Sequence, residues 1–283
     1  MQIEFTKMEG LGNDFILMDD RDHHITEKIH YHALSKKLCD RRFGIGADGI
    51  ILILHSQVCD LGFRIFNSDG SEAQMCGNGM RCFAKLAYEK QIIKKDEFTV
   101  ETLAGKIIPK LLLDHNGKIN SVKVDMGQPV LNPADIPFHS TRSKAIAEEI
   151  EVAGQKIIIT AISMGNPHAV IFVDSLDTAP VTRLGPLIEN CDLFPEKTNV
   201  EFVEVISDKE LKMKVWERGA GVTLACGTGA CAALVAANLN RKASAQALVH
   251  LDGGDLFIEW DQHSNHIYKT GPAHTVFSGN IEI

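Results

Sequence analysis

No apolar run in the 283 residues approaches the roughly 18 that a membrane-spanning helix needs. The opening segment, MQIEFTKMEG, lacks the apolar core of a secretory leader. Both absences lead to the expectation of a cytoplasmic protein with no membrane partner. There is no basic excess either: 29 Lys and Arg stand against 37 Asp and Glu, a net charge of -8, which argues against a nucleic-acid partner. The seven cysteines form no CxxC pair and no Cys/His cluster at zinc spacing, and their number is odd. Neither a disulfide framework nor a metal site is expected. There is no P-loop, no nucleophile elbow, no lysine set apart for a cofactor Schiff base and no low-complexity segment. Gly44–Gly49 spells GxGxxG, but a helix-like segment precedes it and a strand-like one follows, the reverse of a dinucleotide fingerprint.

What the chain has is length enough for a sizeable core, an ordinary composition (45% hydrophobic, 23% charged) and an internal repeat. Gly10–Asp20, GLGNDFILMDD, returns as Ser163–Asp174, SMGNPHAVIFVD; Met75–Tyr88, MCGNGMRCFAKLAY, returns as Ala225–Ala237, ACGTGACAALVAA. The offset is 153 residues from Asn13 to Asn166 and 150 from Cys76 to Cys226. Two unlike motifs in the same order at nearly one offset indicate two homologous half-domains. The Asn116-Gly117 turn signal places their division near residue 120, giving 1–120 and 121–269.

Alternating and helical periodicities predict strands at Ile3–Met8, Phe15–Asp19, Ile50–Leu54, Gly62–Asn67, Phe98–Thr102, Lys106–Leu113, Ser121–Asp125, Lys156–Ile162, Ala169–Val173, Thr198–Glu204, Glu210–Trp216, Ala247–Leu251 and Asp255–Trp260. Helices are predicted at Glu27–Asp40, Gly79–Ile92, Ser143–Glu151, Leu184–Glu189 and Gly229–Asn240. Strands outnumber helices without strict alternation, so the fold class is α+β. Ala230–Ala237 has no polar side, the mark of a buried helix, and each repeated helix is expected at the centre of its own half, wrapped by strands.

Each of these helices opens with Cys-Gly-x-Gly. The first N–H groups of a helix lack internal partners and the dipole is positive there. Such an end can dock a carboxylate, glycine allowing close approach, and should favour a thiolate. Two such ends across a cleft between the halves would put thiols on opposite faces of one carbon. Inverting a stereocentre needs that arrangement: a base takes the α-proton from one face and an acid returns it from the other. Cys82 and Cys231 lie inside the helices and read as core; Cys39, Cys59 and Cys191 have no motif around them.

The strings KMEGLGNDF, RRFGIGADG, RIFNSDGSEAQMCGNGMRC, SMGNPH, KTNVEFV, WERGAGVTLACGTGAC and TGPAHTVFSG carry a resemblance over nearly the whole chain. The sequence resembles the diaminopimelate epimerase family. The resemblance implies interconversion of LL- and meso-2,6-diaminoheptanedioate without cofactor, in lysine and peptidoglycan-precursor synthesis. It also implies two similar domains, each a sheet curled around a central helix, with the active site between them. The tail, residues 270–283, would return to the first domain, and the chain would form a homodimer. Carried over by motif, Cys76 and Cys226 are the acid/base thiols. Gly77, Asn78, Gly227 and Thr228 hold the reacting carboxylate; Asn13, Asn67, Asn166, Asn199 and Arg218 bind the remainder of the substrate. Glu217 binds near the amine and, with His168, tunes the thiols.

Asparagine offers donor and acceptor without charge, and arginine suits a carboxylate fork. Local chemistry offers plainer readings: turns at Asn13, Asn67 and Asn166, a surface ion pair at Glu217-Arg218, a structural histidine at His168. The sequence departs from the family at Val222, where an acidic residue is usual, and at Gly49, where some members carry Gln. The nearest rival is a proline or hydroxyproline racemase, whose ligand has one carboxylate; several asparagines plus Arg218 favour the larger dicarboxylate.

Overall fold

A computed structural model describes residues 2–283. The chain divides into two compact units, residues 1–125 with 270–283, and 126–269. Together they form an α+β fold with four α-helices among the described residues. The first unit contains β1 (Gln2–Gly10), β2 (Asn13–Asp19), α1 (Tyr31–Cys39), β3 (Gly49–Leu54), β4 (Leu61–Asn67), β5 (Glu72–Ala73), α2 (Gly77–Glu89), β6 (Val100–Thr102), β7 (Gly105–Ile107), β8 (Lys110–Leu113) and β9 (Ile119–Asp125). The second contains a 3-10 turn (Pro133–Asp135), β10 (Glu148–Val152), β11 (Gln155–Ser163), β12 (Pro167–Val173), α3 (Val181–Glu189), β13 (Asn199–Ser207), β14 (Glu210–Glu217), β15 (Gly221–Val222), α4 (Gly227–Leu239), β16 (Gln246–Leu251) and β17 (Gly254–Trp260). β18 (Ile267–Gly271) leads out of it, and β19 (His274–Glu282) pairs antiparallel with β1 from Gln2↔Glu282 to Glu9↔His274.

The duplication is visible in the pairing. β1-β2-β3-β4-β6-β7 follow one another in the first sheet, and β11-β12-β13-β14-β16-β17 do so in the second. In both, the second and third of these strands are parallel (Phe15↔Gly49; His168↔Asn199), as are the fourth and fifth. Each sheet is open-ended and carries a helix on each face. β3, GIILIL, is buried on both: Ile50 and Leu52 join the α1 cluster with Tyr31, Leu34 and Leu38, while Ile51 reaches Gly79 at the head of α2. In the second unit α3 covers one face, and α4 is buried without interruption from Gly229 to Ala237 against strands from β11 to β17. An apolar helix with no polar stripe has no stable place except a core, and the long apolar strands supply it.

Local chemistry explains the turns. Leu11 (φ 59°) and Gly12 (φ 88°) bridge the Gly10↔Asn13 pair as a two-residue hairpin turn with both φ positive. The segment Ser143–Glu151, read above as helix, instead ends in β10, antiparallel to β11. Ile150 and Val152 alternate inward while Glu149 and Glu151 point out, so tertiary burial overrides the helix propensity of AIAEE. The strand expected over Lys106–Leu113 breaks into β7 and β8 at Ile108-Pro109, where proline supplies no ladder donor.

Two predictions follow from the packing. A Cβ on Gly185 of α3 would sit 2.5 Å from Cγ of Trp216. Gly185→Ala should therefore lower stability by about 1–3 kcal/mol, read as a lower urea midpoint at unchanged slope. Burial pushes the thiols of Cys39 and Cys82 up to about 12 from an ordinary 9.0. The folded chain then keeps protons that the unfolded chain releases, so their contribution to stability is complete below pH 9.0 and is lost as the pH rises toward about 12. Urea unfolding between pH 7.5 and 10.5 should show stability falling by up to about 1.4 kcal/mol per pH unit per thiol, with a shallower slope in Cys82→Ala.

Candidate active site

In the first unit the register gathers the candidate residues at one end of the sheet. Asn13 begins β2, Gly49 begins β3 opposite Asn67, and Asn67 ends β4. The short strand β5 then delivers the chain to Cys76, the N-cap of α2, in extended conformation (φ -138°, ψ 118°). Its Sγ accepts the Gly79 N–H at 3.4 Å. Asn78 donates from Nδ2 to Asn13 Oδ1 at 2.6 Å and accepts from Arg81 at 2.8 Å, tying the β1–β2 turn to the helix end. Asn13 in turn donates to Asp48. Burial raises the Asp14 carboxyl, but Arg41 and Lys7 outweigh it and hold Asp14 below the ordinary carboxylate range. Asn67 bonds to Ser71 within its own turn. A Cβ on Gly49 would lie 2.7 Å from the Phe66 carbonyl oxygen, so the backbone passes close at this departure from the family pattern.

The second unit repeats the design with carboxylates set beside the thiol. Cys226 is the N-cap of α4 (φ -114°, ψ 107°), only 6% exposed, and its Sγ accepts the Gly229 N–H at 3.3 Å and lies 3.5 Å from the Thr228 hydroxyl. His168, fully buried on β12, places Nδ1 2.6 Å from Glu201 Oε1 and Nε2 3.0 Å from Asn166 Oδ1. Asn199, the register partner of His168, donates to the Pro167 carbonyl and accepts the Arg218 N–H at 3.0 Å. The Arg218 side chain is exposed and reaches the Glu196 carbonyl. Glu217, at the end of β14, accepts from the Thr223 hydroxyl. Glu189 fixes this corner, accepting from Trp216 Nε1 at 2.6 Å and from the Gly219 N–H at 2.9 Å. Val222 lies half-exposed on β15, paired with Trp216.

The electrostatics correct one expectation. A helix N-terminus favours a thiolate, yet the Cys226 thiol is pushed well above its ordinary value. Burial is the largest cause, followed by the Glu217 and Glu201 carboxylates; the Thr228 and Gly229 donors oppose them without prevailing. Glu217 is itself raised, by burial first and by Glu201, against the Thr223 hydrogen bond and His168.

Two participants escaped the sequence reading. Glu201 is fully buried beside the His168 ring, and a Cβ on Gly229 would meet its Oε1 at 2.7 Å. Fully buried Arg81 donates Nε–H to the Pro272 carbonyl in the tail, linking α2 to residues 270–283. The signal for each was a charged residue inside an apolar stretch, Glu in NVEFV and Arg in GMRCF. His168, Glu201 and Cys226 offer nitrogen, oxygen and sulfur within 4.8 Å of one another, a set able to ligate a metal ion, although Glu201 Oε1 is already committed to His168. Asp20, Asp22 and His24 also converge, but Asp20 spends its oxygens on Ile25, Thr26 and Tyr31.

The fold has solved relatives. A phenazine biosynthesis protein of the PhzF family from Bacillus anthracis superposes with a TM-score of 0.71 at 16% identity, covering 100% of both chains. A hydroxyproline epimerase from Agrobacterium vitis gives 0.68 at 14% identity, over 99% of this chain and 92% of that one. At such identity these establish the architecture alone. No helix among the described residues is long and apolar enough to cross a membrane. Sequence comparison goes further. The chain is 60% identical to a diaminopimelate epimerase of Desulforapulum autotrophicum over 100% of both chains. It is 52% identical to one of Pelotomaculum thermopropionicum over 98% of each, and 51% identical to one of Methanococcus maripaludis, over 99% of this chain and 100% of that one. The sequence model of the family described as diaminopimelate epimerase matches residues 5–132 and 160–276. With the matching thiol-capped helix in each unit, these likenesses place the chain in the diaminopimelate epimerase family.

Proposed function

We propose that this chain interconverts LL- and meso-2,6-diaminoheptanedioate by a two-thiol mechanism, with Cys76 and Cys226 as the acid/base pair and no added cofactor. The observation that supports it is the repeated helix end: in each unit a cysteine Sγ accepts the third N–H of a helix packed against strands of that unit. That bond leaves the N–H groups of Gly77 and Asn78, and of Gly227 and Thr228, outside the intrahelical ladder. Aimed at the substrate carboxylate, they stabilise the charge that develops as the α-proton departs. One thiol and one thiolate must coexist, and the carboxylates facing Cys226 make it the partner held as thiol at rest. Asn13, Asn67, Asn166, Asn199 and Arg218 bind the rest of the dicarboxylate; Glu217 takes its ammonium group and, with His168, tunes the thiol. Each half-domain contributes one face of the reaction, the chain acts as a cytoplasmic homodimer, and the activity belongs to lysine and peptidoglycan-precursor synthesis. A proline or hydroxyproline racemase shares the architecture, but the whole-length relatives at 51–60% identity bear the diaminopimelate name.

Dialysed enzyme supplied with LL-diaminoheptanedioate in D₂O should give the meso isomer with deuterium at the inverted carbon, followed by NMR. Cys76→Ala and Cys226→Ala should each lose about 10²–10⁴ in kcat, the range of a general acid or base. Racemisation of L-proline in place of this reaction would move the assignment to the rival.

A further inference from the structure

Glu201 enters the reading above only as one of two carboxylates facing Cys226. Its side chain is fully buried on β13, and Oε2 has no hydrogen-bond partner among the described residues. Burying a carboxylate with one oxygen unsatisfied is unfavourable unless a neighbour compensates. Among the described residues its side chain bonds through Oε1, 2.6 Å from Nδ1 of His168, itself fully buried. The two sit on parallel neighbours, β12 and β13, two residues apart in register and so on the same face: His168 pairs with Asn199, and Val170 with Glu201. Above them the first turn of α4 carries glycine at position 229, where any Cβ would strike Oε1 at 2.7 Å and the Cys226 sulfur at 3.2 Å. Gly229 thus lets carboxylate and thiol share the space below the helix end.

Resting on the epimerase reading, we propose that Glu201 is a positioning residue: it accepts Nδ1–H of His168, fixes the ring's tautomer and orientation, and sets a buried negative charge against the thiol of Cys226. The carboxylate–histidine logic is that of any imidazole oriented through its far nitrogen. With Nδ1–H committed to Glu201, the Nε2 lone pair accepts from the Asn166 side-chain amide 3.0 Å away, whose nitrogen and oxygen exchange places by a half-turn of the amide. The groups facing Cys226 are Glu201 on β13, Glu217 on β14 and the Thr228 hydroxyl on α4, with His168 on β12 completing the cluster. Two carboxylates and burial act in one direction on the thiol, so Cys226 keeps its proton until substrate arrives. The direction of its shift agrees, with Glu201 among the causes that raise it.

The test uses the full chain and three readouts. In wild-type protein labelled with ¹⁵N-histidine, the His168 resonances, assigned by their loss in His168→Asn, should report a protonated Nδ1; a bare Nδ1 overturns the proposal whatever the variants do. Iodoacetamide labelling of Cys226 against pH, resolved by peptide mass spectrometry, needs no substrate. In Glu201→Gln, which keeps an acceptor for Nδ1–H but removes the charge, the labelling midpoint should fall by about one pH unit, and an unchanged midpoint overturns the proposal. With substrate, Glu201→Gln should move the alkaline limb of the kcat/KM profile the same way at nearly unchanged KM. Glu201→Ala should lose about ten-fold or more in kcat with KM changed less than about two-fold, because the ring loses its anchor. Equal losses in both variants with unmoved pH limbs and lowered Tm would make Glu201 merely structural and overturn the proposal. If wild type fails to epimerise diaminoheptanedioate while labelling and NMR behave as expected, the substrate assignment falls and the role of Glu201 stands.

Discussion

The structure depends on the burial of two helix beginnings. A helix end normally faces water, because its first N–H groups need partners. In α2 and α4 that end is wrapped in strands and each first turn is capped by a cysteine sulfur, a weak acceptor. The remaining unsatisfied donors and the positive end of the dipole are therefore held in a place of low dielectric, where they act strongly on an anion. A surface helix with the same sequence would exchange that potential for hydration. The surrounding strands bury Gly77, Asn78 and Gly79 at one end and Cys226 and Gly229 at the other.

The rest of each unit serves this constraint in a similar way. Parallel strand pairs bring loop residues to one end of the sheet, so that Asn13, Gly49 and Asn67 line up beside α2, and His168, Asn199 and Glu217 beside α4. The short strands β5 and β15 aim the chain into the cysteine. The halves differ in charge. Asn13 and Asn78 make a neutral amide pair at the first end, whereas His168, Glu201 and Glu217 concentrate titratable groups at the second. Similar backbone devices thus give two thiols in unlike surroundings.

Much of this was legible in the residues. The duplication, the α+β class, the centrality of the two helices and the cysteines at their ends follow from repeats and periodicity, because a helix apolar on every side admits one environment. The helix expected at Ser143–Glu151 did not form; its residues favour helix locally, and only the edge of β11, available after the sheet assembles, makes Ile150 and Val152 worth burying as a strand. Glu201 and Arg81 were hidden for a related reason. Strand alternation tells which face a side chain takes, but not that a carboxylate on that face meets a histidine 33 residues earlier in the chain.

Two Cys-Gly-x-Gly helix starts, duplicated 150 residues apart, are legible in the residues alone. Those features are local, so spacing and composition express them completely. The electrostatic character of Cys226 arises from folding. The helix dipole, readable from sequence, favours its thiolate, while burial together with Glu217 and Glu201 favours its thiol and wins. Desolvation and the Coulomb attraction or repulsion of neighbours depend on distances between segments remote in the chain, and those distances exist only once the sheet has packed against the helix.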